Sequence, residues 1–271
     1  MTIPEPVFPE RPGVRHSVRV LDSGAPRYAL VEGDRLALLD AAPWHGGRPG
    51  GETIARTGAR FLVPCEPGKI VCIGVNYADH AKESVTVSAV PDEPILFMKP
   101  PSALLAHGGT ILLPPGVGRV DHEAEMAFVI GRRTYRASEA EAQAAIAGVT
   151  AVNDVSARVL QKKDGQFTRA KGFDTFCPLG PSVALGLDPS DLGVVARVGG
   201  DLRQDGRTRD LAAGAIALVV YISNVMTLEP GDVISTGTPA GVAPLNPGDV
   251  VAIEIEGLGP LVNDVRERPP S

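Results

Sequence analysis

Cysteine is scarce in this chain of 271 residues. There are three, Cys65, Cys72 and Cys177, an odd number with no Cys-x-x-Cys spacing, which fits reduced thiols in a cytoplasm and excludes a zinc knuckle. Positive charge is not in excess either. The net charge is −6 and no basic stripe occurs, which argues against a nucleic-acid partner. No apolar run reaches the roughly 18 residues of a membrane span, so no membrane partner is expected. Met1 to Arg19 mixes prolines, acids and arginines without an apolar core, unlike a signal or transit peptide. No Gly-x-Gly-x-x-Gly opens a helix, and Gly237-Thr238-Pro239-Ala240-Gly241 lacks the Lys-Ser/Thr that would make it a P-loop. Internal repeats and low-complexity tracts are missing too. What remains is ordinary for a globular protein, 44% hydrophobic and 21% charged, and long enough for one large domain with an appendage or two modest ones.

Residues 1–65 read as a small β-rich domain, with a hairpin pattern from Arg27 to Val31 and Arg35 to Leu39 around Glu32-Gly33-Asp34. Loop composition at Pro43 to Gly51 and at Pro64 to Gly68 places a boundary near residue 65, leaving 66–271 as the second domain. His16 and His45 fall in polar segments and read as solvated.

The stretch Val120 to Gly131, Val-Asp-His-Glu-Ala-Glu-Met-Ala-Phe-Val-Ile-Gly, reads as a strand whose period of two puts Asp121, Glu123 and Glu125 on one face. Either these acids lie in water on an exposed edge, or a divalent cation neutralises them, and an all-carboxylate set suits Mg²⁺ or Mn²⁺ rather than zinc. Asp154 ends the apolar run Val149 to Val152, where a third ligand can enter. Lys69 to Val75 reads as a strand followed by Asn76, placed to cap a helix through Glu83. On that helix His80 and Glu83 share a face, either as an imidazole oriented by a carboxylate to act as a base or as a surface pair. Residues 84–91 have no clear period and read as a candidate mobile lid. Ile95 to Met98 is a strand ending at Lys99 before Pro100. Ser138 to Glu141 is a capping box opening a helix that stops at Gly148. Gly199 to Arg207 reads as a hairpin with Gln204 near its turn, and Leu211 to Met226 as an apolar helix packed on a sheet or a partner. Asp232 to Thr236 is a strand, and Val251, Ile253 and Ile255 alternate in the last clear one.

Six segments taken together, Gly74 to Glu83, Phe97 to Pro100, Asp121 to Glu125, Asn153 to Arg158, Lys171 to Asp174 and Ser235 to Gly241, resemble the fumarylacetoacetate hydrolase family in its own order, over about residues 69–265. The resemblance implies an α+β, mostly β fold, a mixed β-sheet roll with the small N-terminal β-rich domain that many bacterial members carry, generally as a homodimer. It implies a Mg²⁺ or Mn²⁺ cofactor held by Glu123, Glu125 and Asp154, with Asp121 outside the ligand set. It further implies that Lys171 binds substrate near the metal, that His80 and Glu83 activate water or move a proton when the lid closes, and that Thr238 holds a substrate carboxylate. Gly237, Lys99 and Gln204 are counted with Thr238 as substrate-binding. Two departures stand out: Val75 occupies a position where several members carry arginine, and Gly199-Gly200 replaces the usual Asn-Gly.

The expected partner is a small-molecule 2-oxo acid, which chelates such an ion through its keto and carboxylate oxygens, so that the ion favours an enolate. Hydrolysis of a C–C bond in a 2,4-dioxo acid of the acylpyruvate type is the first expectation, because a complete His80/Glu83 pair has its clearest use there. Isomerisation of a hydroxydienoate of aromatic catabolism, or decarboxylation of an oxaloacetate-type acid, uses the same site. A non-enzymatic binding protein on this fold predicts that one of these groups is missing, and none is.

Overall fold

Every residue of the strand Ala124–Ile130 is buried in the computed structural model, which describes residues 3–83 and 89–269. Its even-numbered side chains, Met126, Phe128 and Ile130, enter the largest core together with Val194, Val251 and Ile253 of a second sheet and Leu218 and Ile222 of a helix. Its odd-numbered Ala127 and Val129 pack on the other side against Cys72, Cys177 and Leu179. A strand covered on both faces is written as a continuous apolar run, which is why no alternation shows here.

Around this strand runs the larger sheet. From one edge its order is Pro49–Ala55, Arg35–Leu39, Ala25–Glu32, Arg15–Asp22, Cys177–Leu185, Ile146–Asn153, Ala124–Ile130, Val233–Ser235, Ile70–Gly74 and Ile95–Lys99. Neighbours along it are antiparallel except Val233–Ser235 on Ile70–Gly74, which is parallel. The N-terminal strands are continuous with the rest, since Arg15 pairs with Leu185 and Ser17 with Val183. The smaller sheet has the order Asp201–Arg207, Gly193–Val198, Val250–Ile255, Leu261–Glu267, Thr110–Leu113. The fold is α+β and mostly β, with mixed sheets. No helix is long and apolar enough to cross a membrane among the described residues.

Several sequence expectations change on contact with this frame. The acidic strand is broken: Val120–Asp121 pairs with Ser156–Ala157 in its own small ladder, and the long strand starts only at Ala124. The break arises because His122 N donates to Ala243 O at 3.2 Å while Ala124 N donates to the Gln204 side chain at 2.8 Å. The helix opened by the Ser138 capping box covers Glu139–Ala145 and passes straight into the strand Ile146–Asn153 without reaching Gly148. The apolar helix is Ala215–Val225, because Leu211 is held in a β-bridge with Tyr77. Asn76 is turned to other partners among the described residues: its Nδ2 donates to Ala213 O and Thr236 O and its Oδ1 accepts from Ala213 N. The hairpin of Asp201–Arg207 turns at Gly199-Gly200, so Gln204 lies mid-strand and is buried. A further strand, Leu261–Glu267, follows the alternating one.

His16 is buried rather than solvated. Its ring bridges Ser182 Oγ and Pro9 O at 3.0 Å each, because the arm before the first strand folds over it. His45 is exposed. The stretch read as a lid, 84–91, falls largely outside the described residues, which omit 84–88.

Candidate active site

The three carboxylates meet where strands end. Glu125 is the second residue of Ala124–Ile130, Glu123 sits in the break before it, and Asp154 follows Ile146–Asn153. The two chain ends are stitched by Asp154 N donating to Glu123 O at 2.9 Å and Glu123 N donating to Asn153 Oδ1 at 3.0 Å. Glu123, Glu125 and Asp154 are all buried and can each bring one oxygen within 4.8 Å of the others. The exposed-edge alternative is thereby removed.

Cations answer this charge unequally. Lys171 Nζ donates to Glu123 at 2.8 Å and to Asp154 at 2.5 Å, and lies 4.8 Å from the Phe97 ring centroid. Lys99, fully buried, donates to Asp154 Oδ1 at 2.6 Å and to Val155 O at 3.2 Å. Arg158 Nη2 approaches Glu123 Oε1 to 2.6 Å. Glu125 has no such partner among the described residues; its Oε2 accepts from Ser235 Oγ at 2.6 Å and from Gly237 N at 2.9 Å. Gly237 can bring its N–H there because it lacks a Cβ, which would stand 2.9 Å from that of Asn76.

The electrostatics follow from these contacts. Burial, reinforced by the charges of Asp154 and Glu123, pushes the Glu125 carboxyl up to about 8. Burial acts on Glu123 in the same sense, but Lys171 and Arg158 outweigh it and hold the carboxyl below its usual range. Lys171 is kept above its ordinary value, burial notwithstanding, by Asp154 and Glu123. A set of three buried oxygen donors, one of them short of positive charge, fits a hard divalent cation. Glu123, Glu125 and Asp154 are the residues to hold one.

Above the carboxylates lies a cavity lined by His80, Glu83, Glu123, Glu125, Lys171 and Thr238, all expected from sequence, by Asp121 and Val75, which the sequence singled out without a site role, and by Arg119, Arg158 and Gln161, to which it gave none. His80, on the helix Ala78–Glu83, is buried, and its Nδ1 has no hydrogen-bond partner among the described residues. Burial lowers its pKa, against the opposing pull of Glu123, so the ring is neutral near pH 7. It is not paired with Glu83, whose Oε2 instead accepts from Gly241 N at 2.8 Å. The general-base pair read from the sequence is therefore open in this structure, because the turn before Val242 offers Glu83 a backbone donor.

Three residues expected to touch substrate stand behind the cavity instead. Lys99 is spent on Asp154, and Gly237 on Glu125. Gln204 is a bracket: Oε1 accepts from Ala124 N at 2.8 Å, and Nε2 donates to Thr238 Oγ1 and Pro239 O at 2.7 Å each. With Oε1 so fixed, His122 Nδ1, 3.0 Å away, must carry the proton that reaches it. Thr238 Oγ1 already donates to Ala124 O at 2.8 Å. Val75 holds a left-handed φ of 55°, a strained setting for a β-branched residue, at the cavity wall. Arg158 and Gln161 had a signal in their i, i+3 spacing, and Arg158 Nη1 donates to Gln161 Oε1 at 2.9 Å. Arg119 had none, since nothing local marks a loop arginine as facing a site.

Residues 69–266 match the fumarylacetoacetate (FAA) hydrolase C-terminal family, and residues 15–64 match the Rv2993c-like N-terminal family. An oxaloacetate tautomerase, mitochondrial FAHD2B of Bos taurus, is 41% identical over 274 residues, covering 96% of this chain and 81% of its own. Among solved structures, 5-carboxymethyl-2-hydroxymuconate delta-isomerase from Mycobacterium smegmatis superposes with a TM-score of 0.87 at 40% identity, over 93% of this chain and 100% of that one. Maleylpyruvate hydrolase from Sphingobium sp. SYK-6, solved with manganese (II) ion and pyruvate, gives a TM-score of 0.76 at 29% identity, over 94% and 100%. The order of strands that assembles the three carboxylates and the extent of these matches lead to one conclusion: the chain belongs to the fumarylacetoacetate hydrolase family, whose members are enzymes.

Proposed function

We propose that the protein is a Mg²⁺- or Mn²⁺-dependent enzyme that enolises a short 2-oxo acid, moving a proton between carbon and oxygen as a tautomerase or isomerase does. The observation that carries this reading is the buried triad of Glu123, Glu125 and Asp154 beneath a neutral His80 on one cavity. A divalent cation held there would supply positive charge to the keto and carboxylate oxygens of the acid, favouring loss of a proton from the adjacent carbon. The chain's own groups do the rest. Lys171, fixed by two carboxylates, keeps a positive charge beside the reacting oxygens. His80, neutral and with Nδ1 unpartnered, is able to take the carbon proton and return it. Phe97 and Phe167, packed edge to face at the cavity wall, exclude water and strengthen these charges. The oxaloacetate tautomerase and delta-isomerase relatives support the same chemistry.

A second reading is hydrolysis of a C–C bond in an acylpyruvate. It is favoured by the position of Glu83 three residues after His80 on one helix. Moved from Gly241 N to His80 Nδ1, its carboxylate would orient the ring against water.

The experiment is a spectrophotometric comparison of the Mn²⁺-loaded and EDTA-treated protein on the enol form of oxaloacetate, a hydroxydienoate and an acylpyruvate. Metal-dependent turnover of either of the first two, with slower or no cleavage of the third, is the expected result. Faster cleavage of the acylpyruvate would select the second reading, and no metal-dependent turnover of any would overturn both.

A further inference from the structure

Gln204 uses every hydrogen-bonding valence of its amide inside the protein. Oε1 accepts from Ala124 N and from His122 Nδ1, and the two protons of Nε2 go to Thr238 Oγ1 and Pro239 O. The amide is not free to turn over. Reversed, it would set its NH2 against the N–H of Ala124 and its oxygen against the carbonyl of Pro239, two contacts of like with like. With the side chain only 1% exposed, water cannot stand in for the lost partners.

This orientation decides what Thr238 can do. Thr238 lines the cavity, and because its Oγ1 receives a proton from Gln204 it cannot direct its own proton to that partner. The hydroxyl is left as a donor with two choices, Ala124 O at 2.8 Å or an acceptor in the cavity. Ala124, between Glu123 and Glu125, is thus held at both polar atoms, N by Gln204 and O by Thr238.

His122 takes no part in the chemistry above. It is fully buried, and since Nδ1 carries the proton that reaches Gln204, Nε2 is an acceptor without a partner among the described residues. An orphaned acceptor in the interior is unfavourable. What the ring supplies in its place is a second donor to Gln204 Oε1, and an amide oxygen that takes two hydrogen bonds makes the amide N–H groups stronger donors.

We propose that His122 and Gln204 are positioning residues: they hold the Thr238 hydroxyl as a donor whose hydrogen bond passes from Ala124 O to an oxygen of the bound 2-oxo acid. This rests on the reading of the protein as an enzyme of 2-oxo acids. Neither residue touches the acid, and both act through Thr238.

The test is calorimetric titration of the Mn²⁺-loaded protein with pyruvate and with 2-oxobutyrate. Thr238→Val, which keeps the shape and removes the hydroxyl, is expected to weaken binding of both acids about 10-fold. Gln204→Met should weaken it about fivefold and add nothing in the Thr238→Val background, because both changes act on one hydrogen bond. His122→Phe should weaken it about threefold, again only while Thr238 is present. His122→Asn, whose amide can replace Nδ1 as the donor, should restore the unaltered affinity. Mn²⁺ affinity should stay constant throughout. Should Gln204→Met fail to fold, the two His122 variants decide alone. A loss that persists in the Thr238→Val background, or a matching fall in Mn²⁺ affinity, would make the two residues supports of the strand and its glutamates and overturn the proposal. Acid binding untouched by Thr238→Val or by His122→Phe would overturn it too. Each of these outcomes leaves the enolisation reading standing. If the unaltered Mn²⁺-loaded protein binds neither acid, that reading falls and the proposal with it.

Discussion

Glu83 accepts the backbone N–H of Gly241 at 2.8 Å, although His80 lies one turn back on the same helix. The donor sits where only glycine fits: Gly241 has φ +99°, and a Cβ there would meet Arg203 O at 2.1 Å. The end of the helix is therefore tied to the turn that also carries Thr238, and the carboxylate that would orient His80 is engaged elsewhere. Proton transfer and hydrolysis then make different demands on Glu83. Glu83→Gln is expected to leave enolisation largely intact and to lower acylpyruvate cleavage about 10-fold or more. The ratio of the two rates checks this.

His80→Ala is expected to lower metal-dependent turnover by about 10²-fold while Mn²⁺ still binds. Loss of Mn²⁺ affinity in the same variant would place His80 in the ion's shell and remove its role as proton carrier. Titration calorimetry beside the assay separates the two.

Glu123→Ala and Asp154→Ala should each abolish Mn²⁺ binding and turnover together, because each removes one of three ligands and leaves Lys171 with a single carboxylate. Full activity in either variant would sink the metal site.

Lys99→Met breaks an ion pair in which both side chains are fully buried. Removing one partner of such a pair leaves an undercompensated charge, and the expected loss of stability is about 3 kcal/mol. Urea unfolding reads it. An unchanged midpoint would show that Lys171 alone satisfies Asp154.

Acid should weaken the docking of the N-terminal arm. His107 accepts from Val262 N through Nδ1 at 3.2 Å, so its Nε2 carries the proton that reaches Pro4 O at 2.9 Å. His16 is held in the same tautomer, with Nε2 toward Pro9 O and Nδ1 toward Ser182. Burial lowers the pKa of both rings below the ordinary 6.5. A lowered folded pKa means that the unfolded chain takes up the proton first. The contribution to stability is thus complete above pH 6.5 and is lost as pH falls through that value toward the folded one. Glu125, its carboxyl raised to about 8, adds stability as pH falls over the same range, so the histidine part is read as a difference: the unfolding free energy of the unaltered protein relative to His16→Asn with His107→Asn should fall as pH is lowered from 7.5.

The parts of the site that the sequence disclosed are those set by short-range geometry. Alternation on a strand put Glu123 beside Glu125, and Ser138 announced its own capping box, whereas Asp154 joined the two glutamates through the family resemblance. Asp121 looked equivalent to the two glutamates and is not, because a loop contact to Ala243 diverts the chain between them. Glu83 was paired by spacing with His80, but its partner lies 158 residues away. Gln204 was placed at a turn and sits mid-strand, since the diglycine before it turns first. The first two misses depend on segments far off in the chain, which no local pattern encodes; the third is local, because Gly199-Gly200 turns the chain before Gln204.

The ladder between Arg15–Asp22 and Cys177–Leu185, with the His16 to Ser182 contact spanning 166 residues, has a consequence for synthesis. The N-terminal strands leave the ribosome long before the strand that completes their sheet exists, and the arm ahead of them closes still later: Arg11 reaches Glu256, and the Val7 carbonyl fills the place of a Cβ at Gly259. Contacts of such sequence separation form late and slowly. Truncation shortly before Gly259 would therefore leave the arm ahead of Arg15–Asp22 without its docking site, and these strands must be kept from pairing elsewhere until the segment through Gly259 has been made.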